Sequence, residues 1–204
     1  GRRLKIEVVF PQGKELGERT SNKAFGVVDG LALIGTQAIP QKTSSPEQLQ
    51  GSLNSLKREC SKNGFTGQMT FVIGQNGLNL ASELGLNAQP VIKTGNWLGP
   101  LIVAAAEEGV QKLLLFGYHG KLIKLAGGIF HTHHHLADAR LEVLIALAVQ
   151  EGFPMSLIRS FSKDKSVEKA LLSLESYNPH QASKLWNRIA YTIEQRSIEY
   201  LSKY

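Results

Sequence analysis

Four of the six histidines fall in one pentapeptide, His131-Thr132-His133-His134-His135. Imidazole exchanges protons near neutral pH and ligates metals, so this run is the first place to look for chemistry. Residues 131 and 135 share a helix face, and Asp138 lies four beyond His134. A closed zinc set needs further ligands, and His119 is the only other histidine nearby, so no metal site is assigned. Two other readings stay open. Thr132 caps a helix with solvated histidines around it, or the histidines face a metal-free ligand pocket. In the second, His119 and His133 act as acid–base or hydrogen-bonding groups, and Asp138 joins them as a catalytic candidate. Lys121, Lys124 and Arg140 add positive charge that ligand carboxylates would meet. A lysine at position 124 of a helix surface is more commonly solvated, and Asp138, Arg140 and Glu142 also suit a structural ion-pair network.

Several familiar motifs fail. Gly117-Tyr118-His119-Gly120-Lys121-Leu122 is not a phosphate loop: its first glycine is two residues too close, and Leu122 replaces the hydroxyl residue that magnesium needs. No Gly-x-Gly-x-x-Gly follows a strand, and no Gly-x-Ser-x-Gly elbow exists. Cys60, the single cysteine, sits in an expected helix without a nearby base. Nucleophilic hydrolysis and a standard dinucleotide site are poorly supported, and a disulfide framework is excluded.

Alternating strands and helices must position these residues. Residues 4–10 alternate as a half-buried strand, residues 11–22 are polar and glycine-rich, and residues 31–36 read as a buried strand. Ser45-Pro46-Glu47-Gln48 starts a helix that Asn63-Gly64 stops. Strands follow at 69–73, 91–93 and 110–116, with helices at 78–84, 98–108, 122–126 and 136–150. Such alternation predicts an α/β fold: a three-layer, mostly parallel, Rossmann-like sheet. Helices at 167–174 and 181–201 end the chain. Their stripe of Leu185, Trp186, Ile189 and Ile193 reads as core in preference to a partner surface. Three strands end on glycine, at Gly74, Gly95 and Gly117. Ligands bind beyond the carboxyl ends of such strands, where glycine admits close approach and helix N-termini free amides. Tight turns alone also need glycine. The candidate cofactor-binding residues are Gly74, Asn76, Gly77, Asn96, Gly117 and Gly120.

The 204 residues include 23 basic and 17 acidic side chains, a net charge of +6. Half of that surplus lies in residues 1–24. The aromatics are scattered, not interleaved with a basic stripe, which argues against nucleic acid. No apolar run reaches a membrane span, and none opens the chain as a signal segment, so a cytoplasmic location is the expectation.

Residues 117–128, followed by Thr132-His133 and by Ala137-Asp138-Ala139-Arg140-Leu141-Glu142, closely resemble the signature of the CbiD family. Leu33-Ile34-Gly35-Thr36 is similar to that family's Leu-Gly-Thr strand, and Gly74-Gln75-Asn76-Gly77 to its Gly-Asn-x-Gly loop. Lys93-Thr94-Gly95-Asn96-Trp97-Leu98-Gly99 resembles its Lys-x-x-Asn-Phe-x-Gly segment. Arg19-Thr20-Ser21-Asn22 resembles its Gly-Arg-Thr-x-Asn loop, with Glu18 where the family usually has glycine. His131-Thr132-His133-His134 stands where the family has Asn-Thr-His-Ser, so the histidine run is no family requirement.

The resemblance implies a cobalt-precorrin-5B C(1)-methyltransferase of anaerobic cobalamin synthesis. It implies S-adenosylmethionine as cosubstrate and a cobalt-containing tetrapyrrole as substrate. The tetrapyrrole's carboxylates would meet Arg19, Thr20, Lys121, Lys124 and Arg140. A tetrapyrrole- or metal-binding module without chemistry is the alternative. Family members carry an N-terminal domain not recognisable here, so the expected organisation is a join at residues 1–30, an α/β ligand-binding domain at 31–163 and packed helices at 164–204. No nucleic-acid or membrane partner is expected, and a homo-oligomer is left open.

Overall fold

The computed structural model describes residues 9–18, 30–31, 46–134, 136–164 and 166–204. The chain divides into two compact units, Gly1–Gln41 and Lys42–Tyr204. In the first, helix α1 (Gly13–Glu18) occupies part of the stretch expected to be a polar turn. Gly17 packs so closely on the Gly30 carbonyl that a Cβ would not fit. The strands expected at 4–10 and 31–36 lie outside the described residues except for their ends, residues 9, 10 and 31, which are in no strand.

The second unit is a mixed α/β fold. Helix α2 (Pro46–Cys60) turns Leu49, Leu53 and Leu56 inward and ends before Gly64. Its expected cap, Ser45, lies outside the described residues. Strands β1 (Gln68–Ile73), β2 (Val91–Lys93) and β3 (Lys112–Gly117) form a sheet of order β2-β1-β3 with both pairings parallel. Phe71 stands opposite both Ile92 and Leu115. Central β1 is almost continuously apolar and buried, as a parallel strand covered on both faces must be. Met69, Phe71 and Ile73 pack with α2 and with α4 (Leu98–Glu107). Thr70 and Val72 alternate to the other face, where α3 (Gln75–Glu83) brings Gly77 against Val72.

Helices α5 (His119–Ala126), α6 (Arg140–Gln150), α7 (Met155–Phe161), α8 (Val167–Tyr177) and α9 (Pro179–Leu201) follow. They share a second core containing Ile123, Leu144, Phe161, Leu171, Leu185 and Ile189. Trp186 packs on this core, while Ile193 touches both cores, so the α9 stripe is internal packing. Asn178 caps α9, its side-chain oxygen accepting from the Gln181 amide at 3.1 Å.

Helices α4, α5 and α6 stop in the same way. Gly109, Gly128 and Gly152 have positive φ, and the next residue donates back five positions, from Val110 to Ala105, Ile129 to Lys124 and Phe153 to Ala148. This is the Schellman closure, which favours glycine. Several boundaries differ from expectation: α3 starts at Gln75 and not at 78, α5 at His119 and not at 122, and β3 runs Lys112–Gly117 and not 110–116. α6 starts at Arg140 and not at 136, because residues 136–139 are engaged elsewhere, as described below. Helix α7 escaped sequence reading because its seven residues carry only two buried apolar side chains, Ile158 and Phe161.

Gly117 sets the tightest approach in the sheet. At φ 149° its added Cβ would lie 2.6 Å from the Ile73 carbonyl oxygen. Gly117→Ala is expected to destabilise the chain by about 2–4 kcal/mol, measured by urea denaturation; a loss under about 0.5 kcal/mol would show that the contact relaxes freely.

Candidate active site

Because all three strands are parallel, their carboxyl ends share one rim. β2 and β3 flank β1 on opposite sides, so the connections leaving this rim diverge beyond β1, and a crevice belongs at such a point. Three strand-to-helix turns line it, and each contains a glycine with positive φ: Gly74 at 83°, Gly95 at 60° and Gly117 at 149°. Gly77 sits against the Gly117 Cα, so these two turns pack directly together. Asn76 lies in the first turn of α3. Thr94, fully buried, directs both its amide and its hydroxyl to the Val72 carbonyl, at 3.1 and 3.3 Å.

Asn96 organises the next layer. It is 4% exposed, and its side-chain oxygen accepts from Lys121 Nζ at 3.2 Å and from Thr132 Oγ1 at 3.1 Å. Its backbone oxygen accepts the Thr132 amide at 3.0 Å. Trp97 and His131 form an antiparallel bridge, and Gly99 donates to the Phe130 carbonyl. The segment 130–132 is thereby fastened along 96–99. The His131 ring meets Trp97 edge-on at 4.4 Å, and the His133 ring stacks on His134 at 4.8 Å. Burial pushes the His131 imidazole below its usual pKa, and neighbouring His133 adds to that.

Lys124 carries the loop's other anchor. Although basic, it is 1% exposed, and its ammonium donates to the Ala137 carbonyl at 2.7 Å and to the Thr132 carbonyl at 3.2 Å. Burial lowers its pKa, and the nearby Asp138 carboxylate partly offsets that. The Thr132 and Ala137 carbonyls are therefore drawn to one ammonium, which is why α6 cannot begin at 136. Thr132 faces Asn96 and is not a helix cap. Asp138 and Arg140 form a bidentate pair, Nε to Oδ1 at 2.5 Å and Nη2 to Oδ2 at 2.7 Å. The guanidinium holds the Asp138 carboxyl below the usual range. The pair borders a cleft of about 140 Å³ with Leu141, Glu142, Ser166 and Val167.

His119 opens α5 and is half-buried. Its ring lies 4.5 Å from Tyr118 and 5.6 Å from Trp186, edge-on to the indole. Its Nε2 is shielded from solvent without a hydrogen-bond partner. Burial lowers its pKa, against a smaller opposing pull from Glu168, which accepts the Tyr118 hydroxyl at 3.4 Å. Gly120 leaves room for the Tyr118 ring, 2.6 Å from where a Cβ would stand.

The described sequence candidates fall into four places, one of which is the start of α5, where His119 and Gly120 meet Tyr118. Gly74, Gly77 and Gly117 adjoin one another; Asn96 and Lys121 join Lys124 and the loop carrying His133; Asp138 and Arg140 edge the cleft. Arg19 and Thr20 lie outside the described residues, as does His135. Among the described residues no group of three or more His, Cys, Asp or Glu could hold a metal ion, and no helix is long and apolar enough to cross a membrane. Sequence reading missed Thr132 as a partner of Asn96 and Trp97 as a partner of His131, since neither contact leaves a local pattern.

The family model described as CbiD matches residues 1–42, and the model described as CbiD, C-terminal domain, matches residues 131–204. Together they cover more than half of the chain, and the curated relatives match all of it. The chain belongs to the CbiD family. A Prochlorococcus marinus (strain MIT 9313) protein named cobalt-precorrin-5B C(1)-methyltransferase is 62% identical over all 204 residues, which are 53% of that relative. A protein of the same name from Prochlorococcus marinus strain MIT 9303 is 61% identical over the same span, again 53% of its length. This CbiD chain spans about half the length of the curated relatives it matches. No solved structure matches it.

Two outcomes follow, one from the loop's anchoring and one from the burial of His119. Lys124→Met leaves two carbonyls without their donor and should cost about 2–4 kcal/mol by denaturant unfolding; a cost below about 0.5 kcal/mol would mean that water replaces the ammonium. For His119, the folded pKa lies below the ordinary 6.5. As pH falls from 6.5 towards the folded value, the unfolded chain takes up a proton that the folded chain refuses, so stability drops. His119→Phe should therefore lose less stability between pH 7 and 5 than the unaltered chain, read from thermal midpoints.

Proposed function

We propose that this CbiD chain takes part in methylating carbon one of cobalt-precorrin-5B, with S-adenosylmethionine as the methyl donor. The observation that carries the reading is identity of 62% over every residue of the chain to a relative bearing that activity as its name. The alternative is a tetrapyrrole-binding role without chemistry.

The rim's chemistry agrees with a large anionic substrate and a small organic donor. S-adenosylmethionine, when bound, supplies an electrophilic methyl group on a sulfonium. The residues that would hold it are those of the glycine turns, Gly74, Asn76, Gly77, Asn96, Gly117 and Gly120. At Gly74 the backbone conformation excludes most side chains and nothing lies within 4 Å of where a Cβ would stand, which leaves backbone free to approach a ligand, whereas at Gly95 the Gln48 side chain occupies that space. Lys121 and Arg140, with Arg19 and Thr20, are the proposed substrate contacts. Lys124 acts from beneath the loop. His133 rides on a loop fastened at both Asn96 and Lys124, so its position is set before a ligand arrives, which lowers the cost of orienting groups for transfer. His119 and Asp138 complete the catalytic candidates. Residues 31–163 would form the ligand-binding part, with 164–204 supporting it and 1–30 joining it to the remaining length seen in relatives.

The test replaces the matching 204 residues of the MIT 9313 relative with this chain. Transfer of a labelled methyl from S-adenosylmethionine to cobalt-precorrin-5B should persist within about tenfold of that relative. Asn96→Ala in the same chimera should lower kcat/KM at least tenfold, about 1.4 kcal/mol of transition-state stabilisation. A folded chimera that binds the tetrapyrrole but transfers no label would leave the binding role as the answer.

A further inference from the structure

Helix α5 presents two lysines three residues apart to one network. Lys121 reaches the Asn96 side-chain oxygen, and Lys124 reaches Thr132, which itself bonds Asn96. Among the described residues neither ammonium meets a carboxylate at ion-pair distance. The nearest acidic group described around Lys124, Asp138, is already engaged in two bonds by Arg140. Every oxygen that the two ammonium groups contact is neutral. Trp97, next in the chain to Asn96, keeps its indole N–H shielded from solvent and without an acceptor. The region therefore holds surplus positive charge and an unused donor in a partly dry setting, where uncompensated charge is costly.

The two lysines differ in reach. Lys124 is sealed at 1% exposure and can act only through its field, whereas Lys121 is half-buried and opens to solvent. We propose that Lys121, beside the Asn96 amide, is a subsite for a ligand carboxylate, and that Lys124 strengthens it as a fixed charge behind the loop. The carboxylate displaces or joins the neutral Asn96 oxygen at Lys121 and receives a charge-assisted hydrogen bond. This deepens the methyl-transfer reading and rests on it for the identity of the ligand. The carboxylates available are those of the macrocycle's acetate and propionate arms and that of the donor's amino-acid end.

Sodium acetate, titrated against sodium chloride at constant ionic strength, probes the subsite without any assumption about the reaction. Two-dimensional NMR would follow the Asn96 side-chain amide and the Trp97 indole N–H. Both signals should shift saturably, and Lys121→Met, or Lys121→Gln should the first fold poorly, should weaken the response at least tenfold. A linear response in the unaltered chain, or equal saturation in a folded variant, overturns the subsite. Calorimetry with S-adenosylhomocysteine, methylthioadenosine and uroporphyrin then identifies the source. Tenfold weaker binding of S-adenosylhomocysteine by Lys121→Met, with methylthioadenosine unchanged, assigns the donor's carboxylate, and weaker uroporphyrin binding assigns the macrocycle. Failure of all three to bind the full-length chimera with the MIT 9313 relative overturns the methyl-transfer reading, while the acetate result still judges the subsite.

Discussion

An ammonium withdrawn from water must find oxygen atoms, and the second unit of this chain is arranged around one that has done so. Lys124 lies on the last turn of α5, sealed from solvent, with the Thr132 and Ala137 carbonyls as its acceptors. Those carbonyls can reach it only if Thr132 and Ala137 both turn towards the side chain and Ala137 stays out of α6. The same bend presents Thr132 to Asn96 and sets His131 against Trp97. A segment without helix or strand of its own is thus held by backbone acceptors on one side and by the β2–α4 turn on the other. A half-satisfied buried network is costly, so the arrangement is cooperative: loosening any one bond weakens the case for the rest.

The sheet supplies the second constraint. β1 crosses over to β2 on one side and β2 crosses back past it to β3 on the other, so the carboxyl end of β1 faces diverging turns. Close approach of these turns depends on absent side chains, as at Gly77 against Gly117 and Gly117 against Ile73. Fold and candidate site share these atoms. Gly77 and Gly117, which allow α3 to lie on the Val72 face of the sheet, are packed against β1 and each other, while Gly74 beside them has nothing within 4 Å of where a Cβ would stand. The helical core beyond α5 serves the rim indirectly, by holding α5 through Ile123 and Ala126 in one core and Leu125 in the other.

Much of this architecture is readable from residue order. The apolar run in β1 and the glycine stops after α4 and α6 each declare themselves over a few residues, because propensity and capping act locally. The site is less legible. Lys124 looks like a solvated surface lysine from its neighbours, since nothing local shows that carbonyls eight and thirteen residues later will enclose it. The His131–His135 run looks like a helix start, and only the long-range pull on Thr132 and Ala137 moves that start to Arg140. Thr132 and Asn96 are thirty-six residues apart, a pairing that no period or motif encodes. The family resemblance marks these residues as important without saying which of them touch ligand and which hold the loop.

The central claim is that the glycine-lined rim, with the loop fastened to it, receives the ligands. Backbone shift mapping with S-adenosylhomocysteine tests it most directly. The account predicts saturable shifts at Gly74–Gly77, Gly95–Trp97 and Gly117–Lys121, with smaller ones at Thr132 and His133. Shifts confined to the cleft of Asp138, Arg140, Leu141, Glu142, Ser166 and Val167, with the strand-end turns unmoved, would contradict it.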